Sequence, residues 1–188
     1  MGVEYRRFAK SVESDSQISE LAVVDSLAQQ LLSHLQEQAE TIDQLHVYGA
    51  QSSTIQDVVG QLLIRDLDFA PEVVLTPSEG FVTRARPDFF YRLGAGRGVL
   101  AEVERGGAVN NNHDLKDVWK AHIAPDAQHL FLVVPNSNWS AGGQAREKPF
   151  PRVASRLASF FGDPRREIDV VSIHLYGYGK SGVSEASA

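Results

Sequence analysis

Residues 86 to 107, RPDFFYRLGAGRGVLAEVERGG, read as two β-type segments around a glycine-rich turn, with acids where strands should be apolar. In a strand, residues two apart share a face, so Glu102 and Glu104 project with Leu100 while Val99, Ala101 and Val103 face the other way. Antiparallel pairing of RPDFFYRL with GVLAEVER brings Asp88 opposite Glu102. Three carboxylates then converge, and their repulsion calls for a counter-ion, for which a hard divalent cation is the usual choice. The alternative is a solvent-facing hairpin whose acids pair with Arg84, Arg86 and Arg92. Leu100, Phe89 and Phe90 weigh against it, because they point to burial on both faces.

Upstream, residues 1–17 read as an irregular N-terminus. A long amphipathic helix follows over 18–46, with Leu21, Val24, Ala28, Leu31, Leu35, Ile42 and Leu45 at heptad spacing and Gln38 as a polar intruder. That stripe suits either the seam of a homodimer or packing against the chain's own domain. A second helix, STIQDVVGQLLIRDLDF, carries a core stripe of Ile55, Val58, Val59, Leu62 and Leu63. Strands follow in EVVLTP, VTRARPDFFYRL and GVLAEVER. A third helix begins after the asparagines at 110–112, where Asn111 or Asn112 can cap it. Its expected buried stripe is Leu115, Val118, Trp119, His122 and Ile123. HLFLVVP is a fully buried strand, PFPRVASRLASFFGD a helix, VVSIHLYGYG a last strand, and 179–188 a disordered tail. The order α-α-β-β-β-α-β-α-β predicts an α/β domain over 50–178, a mixed central sheet with helices on its faces.

Composition narrows the function. No apolar run approaches the roughly 20 residues of a membrane span, and the first residues lack the apolar core of a secretory signal. Cysteine is absent, which removes disulfides and thiolate metal sites. A soluble cytoplasmic protein is expected. The net charge of −6 is unevenly spread: residues 1–80 hold 4 Lys and Arg against 13 Asp and Glu, and residues 81–188 hold 14 against 11. Arg84, Arg86, Arg92, Arg97 and Arg105 thus put the three acids in a basic neighbourhood suited to phosphate. GYGKSG lacks the first glycine of a phosphate loop, GAGRG lacks dinucleotide spacing, and no nucleophile elbow is present. The six histidines show no short ligand spacing, and His122 reads as a core histidine.

Pro87-Asp88, thirteen residues, then Glu102-x-Glu104 resembles the PD-(D/E)XK nuclease superfamily, with E-x-E in place of E-x-K. The element order over about 50–178 is also similar, and the resemblance implies a restriction-endonuclease-like fold preceded by the long N-terminal helix. It further implies a Mg²⁺- or Mn²⁺-dependent endonuclease that hydrolyses phosphodiester bonds in DNA. Asp88 and Glu102 would hold the metal, with Glu104 and an acid of the preceding helix, Asp57, as further ligands. Position 104 is normally lysine in the family, but some members use E-x-E and others carry the lysine on the following helix. Lys116 and Lys120 are the candidates for that displaced role. Arg84, Arg86, Arg105, Asn112 and His113 are the candidate nucleic-acid contacts, the last two at a helix N-terminus suited to phosphate. The alternative is a catalytically inactive nuclease-fold protein that serves as a nucleic-acid-binding or protein-interaction module.

Overall fold

The computed structural model describes residues 2–51, 53–75, 85–106, 111–162 and 168–182. Its order is β1 (Glu4–Ala9), α1 (Asp15–Glu37), α2 (Ala39–Leu45), α3 (Ser53–Arg65), β2 (Ala70–Pro71), β3 (Phe89–Gly94) and β4 (Arg97–Val103). Then come α4 (His113–Ile123), β5 (His129–Pro135), β6 (Asn138–Trp139), β7 (Ala145–Glu147), α5 (Pro149–Gly162) and β8 (Ser172–Tyr178). Six strands form one sheet in the order β1-β8-β5-β4-β3-β2, while β6 and β7 form a separate small hairpin. β4, β5 and β8 run parallel and β1, β3 and β2 pair antiparallel, so the sheet is mixed, as expected.

The parallel centre explains its sequence. β5 and β8 are buried at all seven positions each, which continuous apolar runs such as HLFLVV allow because both faces are covered. On one face Leu100, Leu130, Leu132, Ile173 and Leu175 pack with α4 and α5. On the other, Val99, Ala101, Phe131, Val133 and Tyr176 pack with α1 and α3. The division of β4 into a Leu100 face and a Val99–Ala101 face is the one its period predicts. The β3–β4 turn needs glycine twice. Gly96 has φ +64°, and a Cβ on Gly98 would run into the Phe90 ring and lie 2.7 Å from the Asp126 carbonyl oxygen.

The N-terminal region differs from expectation. Residues 1–17 are not irregular throughout: EYRRFA is the edge strand β1, paired with β8 from Glu4↔Gly177 to Ala9↔Ser172. The helix expected over 18–46 starts at Asp15, where the Ser14 side chain accepts from Gln17 N, and breaks at Gln38 before α2. Its stripe does not offer a dimer seam, because it is already buried within one chain. Val24, Ala28, Leu31, Leu35 and Ile42 are fully inaccessible, Leu21 is buried, and Leu45 packs partly against the same core. In the tail, Gly182 N donates to Ser137 Oγ at 2.8 Å, so 179–182 are held rather than disordered, and 183–188 lie outside the described residues. The strand expected in EVVLTP is reduced, among the described residues, to a single bridge between Leu75 and Ala85. No helix among the described residues is long and apolar enough to cross a membrane.

Candidate active site

The acid-bearing hairpin has the register its sequence implies. Phe89 pairs with Ala101 and Phe90 with Leu100, which sets Asp88 against Glu102 just beyond the ladder. The two backbones are laced by the acids themselves. Asp88 Oδ2 accepts from Val103 N at 2.8 Å, and Asp88 N points at Glu102 Oε2 at 3.4 Å. Asp88 is half-buried and Glu102 is 3% exposed.

The counter-charge comes from α4. Lys120 Nζ lies 2.8 Å from Glu102 Oε1 and 3.0 Å from Asp117 Oδ1. Asp117 is buried, and its Oδ2 has no hydrogen-bond partner among the described residues. Burial pushes Glu102 up to about 7, against the pull of Lys120. Burial also raises Asp88 and Asp117, the latter strongly and with the Glu102 charge adding to it. Burial disfavours the Lys120 charge, but the Asp117 and Glu102 carboxylates outweigh it and hold the ammonium charged well beyond its ordinary range. One ammonium therefore faces three carboxyls, each harder to ionise than normal.

Glu104 projects to the same side as Glu102 but does not join this group. Its Oε2 meets His113 Nδ1, the first residue of α4, at 2.8 Å. The three-carboxylate convergence thus reduces to Asp88 and Glu102, with Asp117 behind them. Asp57 is exposed on α3 and lines, with Asp88, Phe89, Gly60 and Glu72, a cleft of about 470 Å³. Lys116 is exposed and pairs with no acid among the described residues, so of the two lysines only Lys120 reaches the site.

Among the described residues, the arginines do not pair with Asp88, Glu102 or Glu104. Arg86 pairs with Glu72 at the surface, Arg92 lies 5.6 Å over the Phe90 ring, and Arg97 pairs with Glu20. Arg84 lies outside the described residues. Arg105 lies just past the end of β4 and donates to Val47 O at 2.8 Å, whereas Glu104 meets His113. Asn112 occupies the N-cap of α4 in a left-handed conformation, φ 54°, and its side chain makes no capping bond.

Asp117 is the site residue that hydrophobic periodicity missed. The expected α4 stripe put Trp119 inside, whereas Trp119 is 58% exposed and Asp114, Asp117, Val118 and Ala121 are buried. His122 is half-buried, its Nδ1 accepting from Asp169 N at 2.8 Å. Arg156 explains the rotation, because it binds both oxygens of Asp114 at 2.9 and 3.1 Å and lets that carboxylate face inward. The spacing of Asp117 and Lys120, three apart on one helix, was the available signal.

Among the described residues no group of three or more His, Asp or Glu side chains is arranged to hold a metal ion. Two carboxylates suffice for a hydrated Mg²⁺, which is commonly bound by one or two acids together with substrate phosphate. The carboxyl oxygens of Asp88 and Glu102 are hard donors of the kind such a cation takes.

No protein-family model matches the chain, and no curated protein matches it in sequence. Among solved structures the chain is similar to that of restriction endonuclease BGLII complexed with a DNA 16-mer. The TM-score is 0.47 at 10% identity, covering 96% of this chain and 77% of that one. At that level the likeness says nothing of chemistry.

Proposed function

We propose that the chain is a divalent-metal-dependent nuclease that hydrolyses phosphodiester bonds in DNA, with Asp88, Glu102 and Lys120 as its working groups. The observation that carries this reading is the contact of Lys120 Nζ with Glu102 Oε1 at 2.8 Å, beside Asp88. In this reading Lys120 takes, from α4, the part of the lysine that E-x-E lacks at position 104.

Asp88 and Glu102 are the residues that would hold Mg²⁺. When bound, the ion would favour ionisation of a water and neutralise charge on the phosphate. Lys120 stays cationic, so it donates hydrogen bonds and does not act as a base. Its ammonium is suited to fixing the attacking water and to stabilising charge on a phosphate oxygen. Asp117 is a positioning residue that pins Lys120 from behind. The bond formed joins the water oxygen to phosphorus and the bond broken is that to one ester oxygen; the attacking water gives up a proton to solvent, and the leaving oxygen takes one from solvent to depart as a hydroxyl. His113, oriented by Glu104 at the N-terminus of α4, stands ready to contact a neighbouring phosphate.

The alternative reading is an inactive nuclease-like module. Cleavage assays decide between them. Wild type is expected to cut single-stranded, duplex or branched DNA with Mg²⁺ or Mn²⁺, and Asp88→Ala and Lys120→Ala are expected to lose at least about a hundredfold in rate, the scale of removing one preorganised donor, with unchanged circular dichroism. Full activity in Asp88→Ala removes the proposal.

A further inference from the structure

A second cavity, about 390 Å³, is lined by residues that follow the carboxyl ends of β4 and β5 together with the α2–α3 loop. In open α/β sheets that rim is where ligands bind. The volume falls within the range of small-ligand pockets. Its walls combine aromatic rings with cations: Tyr48 and Trp139, with Arg105 and Arg146. An adjoining cavity shares Tyr48 and Trp139 and adds Lys180, which follows β8.

Four features set this surface apart. Tyr48 is 59% exposed and neighbours Val47 at 51%, a large aromatic surface left in solvent. Arg146 and Lys180 are exposed and make no ion pair among the described residues, in a chain whose net charge is −6. His46 lines both cavities, is 5% exposed and sits edge-on to Tyr178 at 5.0 Å. Its Nε2 lies 2.8 Å from Ser137 O, which can only accept, so Nε2 carries the proton and Nδ1 is left an acceptor with no partner among the described residues.

We propose that this cavity binds an unpaired nucleotide, with Tyr48 and Trp139 as stacking surfaces and Arg105, Arg146 and Lys180 as phosphate contacts. Aromatic platforms interleaved with cations are how single strands are held without sequence preference. The proposal rests on the nuclease reading and narrows its substrate to DNA with a single-stranded segment. Arg105 is three residues from Glu102, at most about 10 Å of extended backbone. Past the end of β4, Arg105 reaches Val47 in the α2–α3 loop while Glu104 reaches His113 at the start of α4. A strand crossing that rim would pass from the acids on the α4 side to the cavity beside α2.

Trp119 and Trp139 are the only tryptophans, so Trp119→Phe leaves Trp139 as the sole indole reporter. The titrant is oligothymidylate of about 12 nucleotides, within the range of single-strand sites, without divalent cation so that nothing is cut. Quenching of Trp139 is expected, with binding weakened about tenfold by Tyr48→Ala. Arg146→Ala is expected to flatten the dependence of log affinity on log salt by about 0.7. A blunt duplex is expected to quench weakly. Anisotropy of a labelled oligonucleotide with the unsubstituted chain gives the affinity independently of the indole. Absence of binding, indifference to Tyr48→Ala, or equal affinity for blunt duplex overturns the proposal. Cleavage that needs Asp88 but ignores Tyr48 would leave the nuclease reading standing and this one refuted. Tyr48-dependent binding without any cleavage would do the reverse.

Discussion

Glu102→Gln should stabilise the protein above neutral pH while removing its proposed metal ligand. The Glu102 carboxyl titrates near about 7 in the fold, against an ordinary value of 4.5. A carboxyl raised on folding binds more protons folded than unfolded between those two values. Its contribution to stability is therefore full below 4.5 and lost as pH rises through about 7. By pH 8 the loss is roughly 3 kcal/mol, with little solvent screening to discount at 3% exposure. Glutamine mimics the neutral acid and keeps an oxygen for Lys120, which retains Asp117 as its counter-ion. For a chain of this size, that difference corresponds to a midpoint about 6–12 °C higher at pH 8 and nearly the same as wild type at pH 4. Thermal melts from pH 4 to 9 in the presence of chelator measure it directly. Parallel curves for the two proteins, or a less stable glutamine variant at pH 8, would refute the reasoning. Added Mg²⁺ should narrow the gap by stabilising wild type alone.

Leu31→Ala, at a fully buried position of α1, should cost about 2–5 kcal/mol in urea unfolding and leave the sedimentation coefficient of the folded protein unchanged. A dimer that dissociates without loss of stability would restore the heptad stripe as a seam. His174 is fully inaccessible, with Tyr5 Oη 2.7 Å from its Nδ1, and burial pushes it down to about 3. A histidine lowered on folding contributes stability above its unfolded value of 6.5 and loses it as pH falls, by about 1.4 kcal/mol per pH unit. His174→Gln should flatten the stability curve between pH 6.5 and 3, and an unchanged slope would count against that role.

What was legible in the sequence is what local pattern determines. The period of β4 fixed the faces of Leu100, Glu102 and Glu104, and the apolar runs of β5 and β8 announced strands covered on both sides. β1 was not legible. EYRRFA carries three charges in six residues, and only its ladder with β8, closed from the far end of the chain, makes it a strand. The rotation of α4 was hidden for a related reason. Leu115, Val118, Trp119 and His122 form a plausible apolar stripe, but Arg156 of α5 and Lys120 compensate Asp114 and Asp117, and so turn the polar face inward. Periodicity cannot register the buried charge of Asp114, whose partner lies on another element, and for Asp117 only the i,i+3 spacing to Lys120 was there to be read.

The same long-range pairing bears on the E-x-E motif. A lysine at 104 would point where Glu104 now meets His113, at the start of α4. The ammonium next to Glu102 instead rises from the second half of that helix, where Asp117 fixes it one turn earlier. Such an arrangement costs stability. It gathers two buried acids and the half-buried Asp88 around one cation, leaves Asp117 Oδ2 without a partner among the described residues, and raises all three carboxyls. An apolar cluster in this position would be more stable, and a merely structural ion pair would be balanced. Of these acids, Asp88 lines the cleft it shares with Asp57 and Glu72, and that open side is where the proposed metal site would meet a cation and a phosphate.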